Sequence, residues 1–254
     1  MADRRDPKIK RAYDRMCSWR RTFGGKKRDD AVRWYHDFSK LGLETPQRPG
    51  IYGPNQRCKE WMIVSYLLMA MEYVRRESGR SPTVLELFCA DGYYSHVAAH
   101  WGASRVKGID KDPTEISFAQ EASKELRHDS ICEFEVGDVF EKIRGGFDIL
   151  LCAGGLYHLS DPKALLIKIR EMAPKYLICQ SVVTLATDEE RYFESPAPGW
   201  TWGCRFTSAG LKRMLRDSGF EILQAYENEL FGNERREDRG SVYALCRPKP
   251  VLPE

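Results

Sequence analysis

Apolar positions recur along this chain with two alternating periods, and the alternation predicts strands interleaved with helices. Residues 55–77 carry apolar side chains on a broad face at helical spacing and read as one long helix. A short β-prone run follows, with Val84, Leu85 and Leu87 as its apolar members. Ala90, Asp91 and Gly92 then let the backbone turn before Tyr93 opens a second helical pattern. Arg105–Asp110 repeats the strand signature. Asp112 as N-cap and Pro113 at the first helical position predict a helix to about Leu126. Strands are predicted at 131–136, from Phe147 onward and at 175–183, with Pro162 opening a helix between the last two. A capped helix at 207–218 ends at Gly219, and 220–227 and 241–246 pair as the last two strands. Such alternation implies an α/β fold with a mostly parallel sheet of seven strands, helices on both faces and an antiparallel last strand.

The chemistry concentrates at strand ends. The turn after Leu87 places Phe88, Ala90 and Gly92 where a dinucleotide loop has three glycines, so it is a poor phosphate cradle but permits close approach to main-chain amides. Glu86 supplies an acceptor beside it, and Asp110 lies about twenty residues on, the spacing at which an acid can hold ribose hydroxyls.

Ordered motifs across residues 83–247 resemble those of class I S-adenosylmethionine-dependent methyltransferases. Residues 86–92 match the family's first motif, with Phe88 and Ala90 as departures. Asp110 matches the ribose-binding acid, Val136, Gly137 and Asp138 match the third-strand segment whose Asp approaches the adenine, and 147–158 match the fourth strand. The resemblance implies a Rossmann-like methyltransferase sheet with an N-terminal helical cap. It also implies S-adenosyl-L-methionine as cofactor and S-adenosyl-L-homocysteine as product. Gly155, Leu156, Tyr157, His158 and Leu159, then Asp161 and Pro162, are similar to the tRNA wobble-uridine alkyltransferase group. Trp34, Tyr35 and His36, with Leu41, Gly42, Thr45 and Pro46, extend that similarity ahead of the first strand. Some of these relatives use a carboxylated cofactor, which needs a basic partner; ordinary S-adenosylmethionine is expected here.

The resemblance assigns cofactor contacts to Glu86, Phe88, Ala90, Asp91, Gly92, Asp110, Lys111, Gly137, Asp138, Val139, Ala153, Gly154 and Tyr157. It sets Tyr157 and His158 beside the transfer site. His158 is a candidate general base because an unperturbed imidazole titrates near neutrality, and His36 is the second candidate.

The chain divides into a basic arm and cap at 1–56 and a cofactor-binding domain at 57–254, with a turn-rich lid at 184–206. Trp200 and Trp202 in the lid, Trp34 and Tyr35 in the cap, and Arg239 are candidate substrate contacts. Of 254 residues 42% are hydrophobic, enough for a sizeable core, and no apolar run is long enough to span a membrane. The charged N-terminus lacks the apolar core of a secretory signal. The eight cysteines therefore read as reduced thiols in a cytoplasmic protein.

Net charge is +3, yet residues 1–34 hold twelve Lys or Arg against five Asp. That arm reads either as a solvated helix or, with Trp19, Phe23 and Trp34 interleaved, as an RNA contact. Five dispersed histidines and no carboxylate cluster at ligand spacing predict no metal. The expected function is O-methylation of a small hydroxylated metabolite. Wobble-uridine-type RNA modification and a catalytically silent cofactor-binding module are the alternatives, and the missing glycine-rich loop argues against a nicotinamide enzyme.

Overall fold

The computed structural model describes residues 33–250, so most of the basic arm lies outside the described residues. A long helix, α1 (Tyr52–Ser78), leads into strand β1 (Thr83–Leu87). Then come α2 (Tyr93–His100), β2 (Arg105–Asp110), α3 (Pro113–Leu126), β3 (Cys132–Val136), the single turn α4 (Val139–Lys142) and β4 (Ile149–Ala153). After α5 (Pro162–Glu171) and β5 (Tyr176–Val183) come two-residue strands β6 (Phe193–Glu194) and β7 (Arg205–Phe206). The chain closes with α6 (Ser208–Asp217), β8 (Phe220–Glu229) and β9 (Gly240–Pro248).

Seven strands form one sheet in the order β3-β2-β1-β4-β5-β9-β8. β9 pairs antiparallel with both β5 and β8, so the last strand runs against the others, as expected, inserted inside edge strand β8. Alternation along β1 divides the core: Val84 packs with α1 and α2, while Leu85 and Leu87 face the layer holding Leu165, Leu166 and Leu211. Both faces are buried, which is why β1, β4 and β5 read as near-continuous apolar runs. The Asp112–Pro113 start forms as predicted, with the Asp112 side chain accepting from Thr114 N at 2.8 Å.

The boundary placed at 56/57 falls inside α1, whose apolar residues Ile63, Tyr66, Leu67, Ala70, Met71 and Val74 dock it on the sheet. The lid at 184–206 also contains the β6–β7 pair, too short to leave a period in the sequence. Ahead of α1, Trp34 N donates to Pro46 O and Arg48 N to Trp34 O, both at 2.9 Å, folding this stretch into a flap. Trp34 is no substrate contact: it is 1% exposed, with its ring against Phe38 and Phe118. An indole between two phenyl rings gains more by anchoring the flap than by facing water.

Candidate functional site

A cavity of about 590 Å³ opens beyond the carboxyl ends of β1, β2 and β4, with the flap and α1 as its other wall. Ligands of open α/β sheets bind at this place, and the volume lies in the ~300–1,000 Å³ range of small-molecule sites.

The turn after β1 keeps its shape without the family's glycines. Phe88 and Ala90 hold φ of 58° and 46°, a left-handed region that costs a side chain about 1–3 kcal/mol and persists where surroundings over-determine it. Part of that determination is visible. Ala90 N donates to Asp110 Oδ2 at 2.9 Å, and a Cβ on Gly155 would stand 1.9 Å from the Phe88 ring, so Gly155 makes room for it. Asp110 Oδ1 also accepts from Asp112 N at 3.0 Å, which fixes the carboxylate at the cavity wall. Glu86 is 2% exposed and accepts from Ser95 N at 2.8 Å and Ser95 Oγ at 2.6 Å. Burial pushes its pKa up to about 8, so without a cation beside it the side chain is largely protonated at neutral pH.

Asp138 caps α4 with one oxygen, accepting from Phe140 N at 2.7 Å, and still lines the cavity. Lys111, Gly137, Val139, Ala153 and Gly154 line it too, with Tyr35, His36, His158 and Trp202. Of the residues expected here, the structure brings these together with Glu86, Phe88, Ala90 and Asp110.

Others stand elsewhere. Asp91 is fully buried behind the wall, where its Oδ2 accepts from His36 N at 2.7 Å and its Oδ1 lies 2.5 Å from His36 Nδ1. Gly92 is kept small by the protein itself, since a Cβ there would meet the Phe134 ring at 2.6 Å. Tyr157 does not line the cavity; its ring packs against His158 and under the Arg205 guanidinium. Trp200 lies outside the cavity, half-exposed against Trp202, and Arg239 is paired at the surface with Glu229 at 2.6 Å. That ion pair satisfies the Arg239 charge away from the cleft.

The two histidines differ as bases. His158 stacks on Trp202, and desolvation, then the charges of Lys111, Arg205 and Lys59, push its pKa down to about 4. It is neutral at pH 7 and weakly basic, contrary to the near-neutral value expected. His36 is buried, stacked on Tyr93, with Nδ1 against a carboxylate. A carboxylate accepts, so Nδ1 carries the proton and Nε2 keeps its lone pair.

Sequence reading missed Gln56, Lys59, Tyr94 and Gln180 in the wall. Lys59 is 4% exposed with no carboxylate partner among the described residues, and burial lowers its pKa to about 8. The signal was available: Lys59 lies one turn before Ile63 on the face that Leu67, Ala70 and Val74 continue, and a lysine on a buried face calls for a reason. Gln180 Oε1 and Tyr94 OH are buried and unpartnered. Buried polar atoms without partners cost about 1–3 kcal/mol each, so this wall is built for a polar ligand. An elongated molecule with hydroxyls, an amine and an amino-acid end fits the set: acids Asp110, Asp138 and Glu86, the Lys59 cation, and apolar Phe88 and Val139.

Comparison with known proteins gives the same picture. A family model described as a methyltransferase domain matches residues 79–219. A protein of Methanocaldococcus jannaschii named as a protein N5-glutamine methyltransferase is 35% identical over 72 residues, 28% of this chain. This chain spans only 36% of that relative's length. The N-terminal domain of EvdMO1 with S-adenosylhomocysteine bound superposes with a TM-score of 0.57 at 16% identity, covering 94% of this chain and 97% of that one. Magnesium protoporphyrin IX methyltransferase from Synechocystis PCC 6803, also with S-adenosylhomocysteine, gives 0.55 at 17%, covering 95% and 100%. At these identities the structures speak for the fold, and the matched model covers more than half the chain. The chain belongs to the methyltransferase-domain family, the class I S-adenosylmethionine-dependent methyltransferases.

Proposed function

We propose that this protein O-methylates a small hydroxylated metabolite, with His36 as the general base oriented by Asp91. The observation that carries the reading is the buried His36–Asp91 pair, with His36 lining the cavity and its imidazole held in one tautomer by the carboxylate.

Asp110 holds the ribose hydroxyls, Asp138 the adenine amine, and Glu86 the amino-acid end, whose carboxylate pairs with Lys59. S-adenosylmethionine, when bound, supplies an electrophilic methyl group. His36 Nε2 takes the proton of the acceptor hydroxyl as its oxygen becomes nucleophilic, and the Asp91 carboxylate stabilises the imidazolium. Tyr35, His158 and Trp202 shape the acceptor side, and the flap and lid exclude water from it, which strengthens the charge interactions within. The aromatic rim of the cavity supports a small acceptor over a nucleotide in folded RNA.

The test supplies methyl-labelled S-adenosylmethionine to the full-length protein with total RNA and a metabolite extract in parallel. Label in the metabolite fraction is expected. Label confined to RNA would replace the small acceptor by a wobble-uridine-type substrate, and S-adenosylhomocysteine binding without any label transfer would make the chain a silent binding module.

A further inference from the structure

The histidines are not dispersed in space. His96 on α2, His128 in the turn after α3, and Cys132 at the start of β3 converge so that one ligand atom from each lies within 4.8 Å of the others. The group lies outside the cavity. Cys132 pairs with Val106 at the beginning of β2, whereas Asp110, at the other end of that strand, reaches the cavity wall.

We propose that His96, His128 and Cys132 form a structural zinc site that ties α2 to the start of β3. His96 Nε2 lies 3.1 Å from Ala119 O; a carbonyl only accepts, so Nε2 carries the proton and Nδ1 presents a lone pair. A backbone carbonyl holding the remote nitrogen is how protein zinc sites orient a histidine ligand. His128 Nδ1 stands 3.3 Å from His96 Nδ1. Two nitrogens at about 2.0–2.1 Å from one tetrahedral zinc stand about that far apart, and a thiolate at about 2.3 Å completes a Cys-His-His set. Cys132 Sγ, 4.0 Å from Ser95 O, turns toward the two nitrogens to close the set. On binding, the Cys132 thiol loses its proton to solvent, the His128–His96 hydrogen bond gives way to two metal–nitrogen bonds, and water, reaching the site past partly exposed His128, takes the fourth position. The site bears on the cavity at a distance: Phe134, two residues beyond Cys132, packs under Gly92 of the cofactor turn and beside His96.

The experiment titrates cobalt(II), as a spectroscopic stand-in for zinc, into the untagged full-length chain under reducing, anaerobic conditions. One equivalent should bind with a thiolate-to-cobalt charge-transfer band and the visible bands of four-coordinate cobalt, all bleached by zinc. Cys132→Ser should lose the charge-transfer band, and His128→Ala, at a partly exposed position, should bind at least tenfold more weakly. Cys58→Ser should behave as the parent chain. Zinc should raise the thermal midpoint of the parent and leave that of Cys132→Ser unmoved. No thiolate band in the folded parent, or a band that survives Cys132→Ser, would overturn the proposal and leave His96 and His128 as a plain hydrogen-bonded pair. The methyltransferase reading does not depend on either outcome.

Discussion

His36 Nδ1 stands 2.5 Å from Asp91 Oδ1 across 55 residues of sequence, joining the flap to the turn after β1. The contact fixes which imidazole nitrogen is free. Asp91→Asn keeps an acceptor for His36 N but lets the amide donate to the ring, favouring the wrong tautomer. We expect methyl transfer to fall by about 10²–10⁴-fold, the usual range for a misaligned general base. S-adenosylhomocysteine affinity, read by calorimetry, should stay near that of the parent; a rate within a few-fold of the parent removes the pair from the mechanism.

Asp110→Ala should weaken S-adenosylhomocysteine binding by roughly 2 kcal/mol, the loss of a charge-assisted acceptor. Because Asp110 also accepts from Ala90 N and Asp112 N, Asp110→Asn serves as a milder second variant. Unchanged affinity in both, in chains that melt cooperatively, would take Asp110 out of the site.

Gly155→Ala should destabilise the protein by about 1–3 kcal/mol, since its new Cβ overlaps the Phe88 ring and overpacking costs that much. Denaturant unfolding measures it. A Phe88→Ala background should recover much of the loss, and failure to recover would mean that Phe88 is not what confines position 155.

Much of the fold was legible because its signals are local. β1 and β2 form over the predicted residues, and Asp112 with Pro113 marks a helix start by chain chemistry alone. Asp110 at the cavity wall followed from its place after a strand. What escaped depends on contacts between distant segments. Asp91 sits in a turn of small residues and reads as cofactor-facing, yet it turns inward because His36 arrives from the flap. Trp34 was misplaced for the same reason, since Phe118 on α3 claims its ring. Lys59 hid among the charges of a long helix although apolar Ile63, Leu67 and Ala70 continue its buried face, and His96, His128 and Cys132 meet only once α2, α3 and β3 are packed.

Glu86 makes a pH prediction for the cofactor-free protein. Its folded pKa is raised by burial to about 8 from a reference of 4.5, so its contribution to stability is full below the reference value and lost as pH rises through 8. Glu86→Gln keeps an acceptor for Ser95 and cannot ionise. The melting temperature of the variant relative to the parent should therefore climb between pH 5 and about pH 9. A difference that stays flat across that range would mean that Glu86 ionises normally in the fold.

The most direct test of the account compares His36→Gln with the parent chain in single turnover, using labelled S-adenosylmethionine and the metabolite fraction that accepts label. His36 is assigned the proton and not the cofactor, so the variant should bind S-adenosylhomocysteine as the parent does while its transfer rate falls by about 10²–10⁴-fold. A variant that transfers methyl groups at the parent's rate would contradict the assignment of His36 as the base.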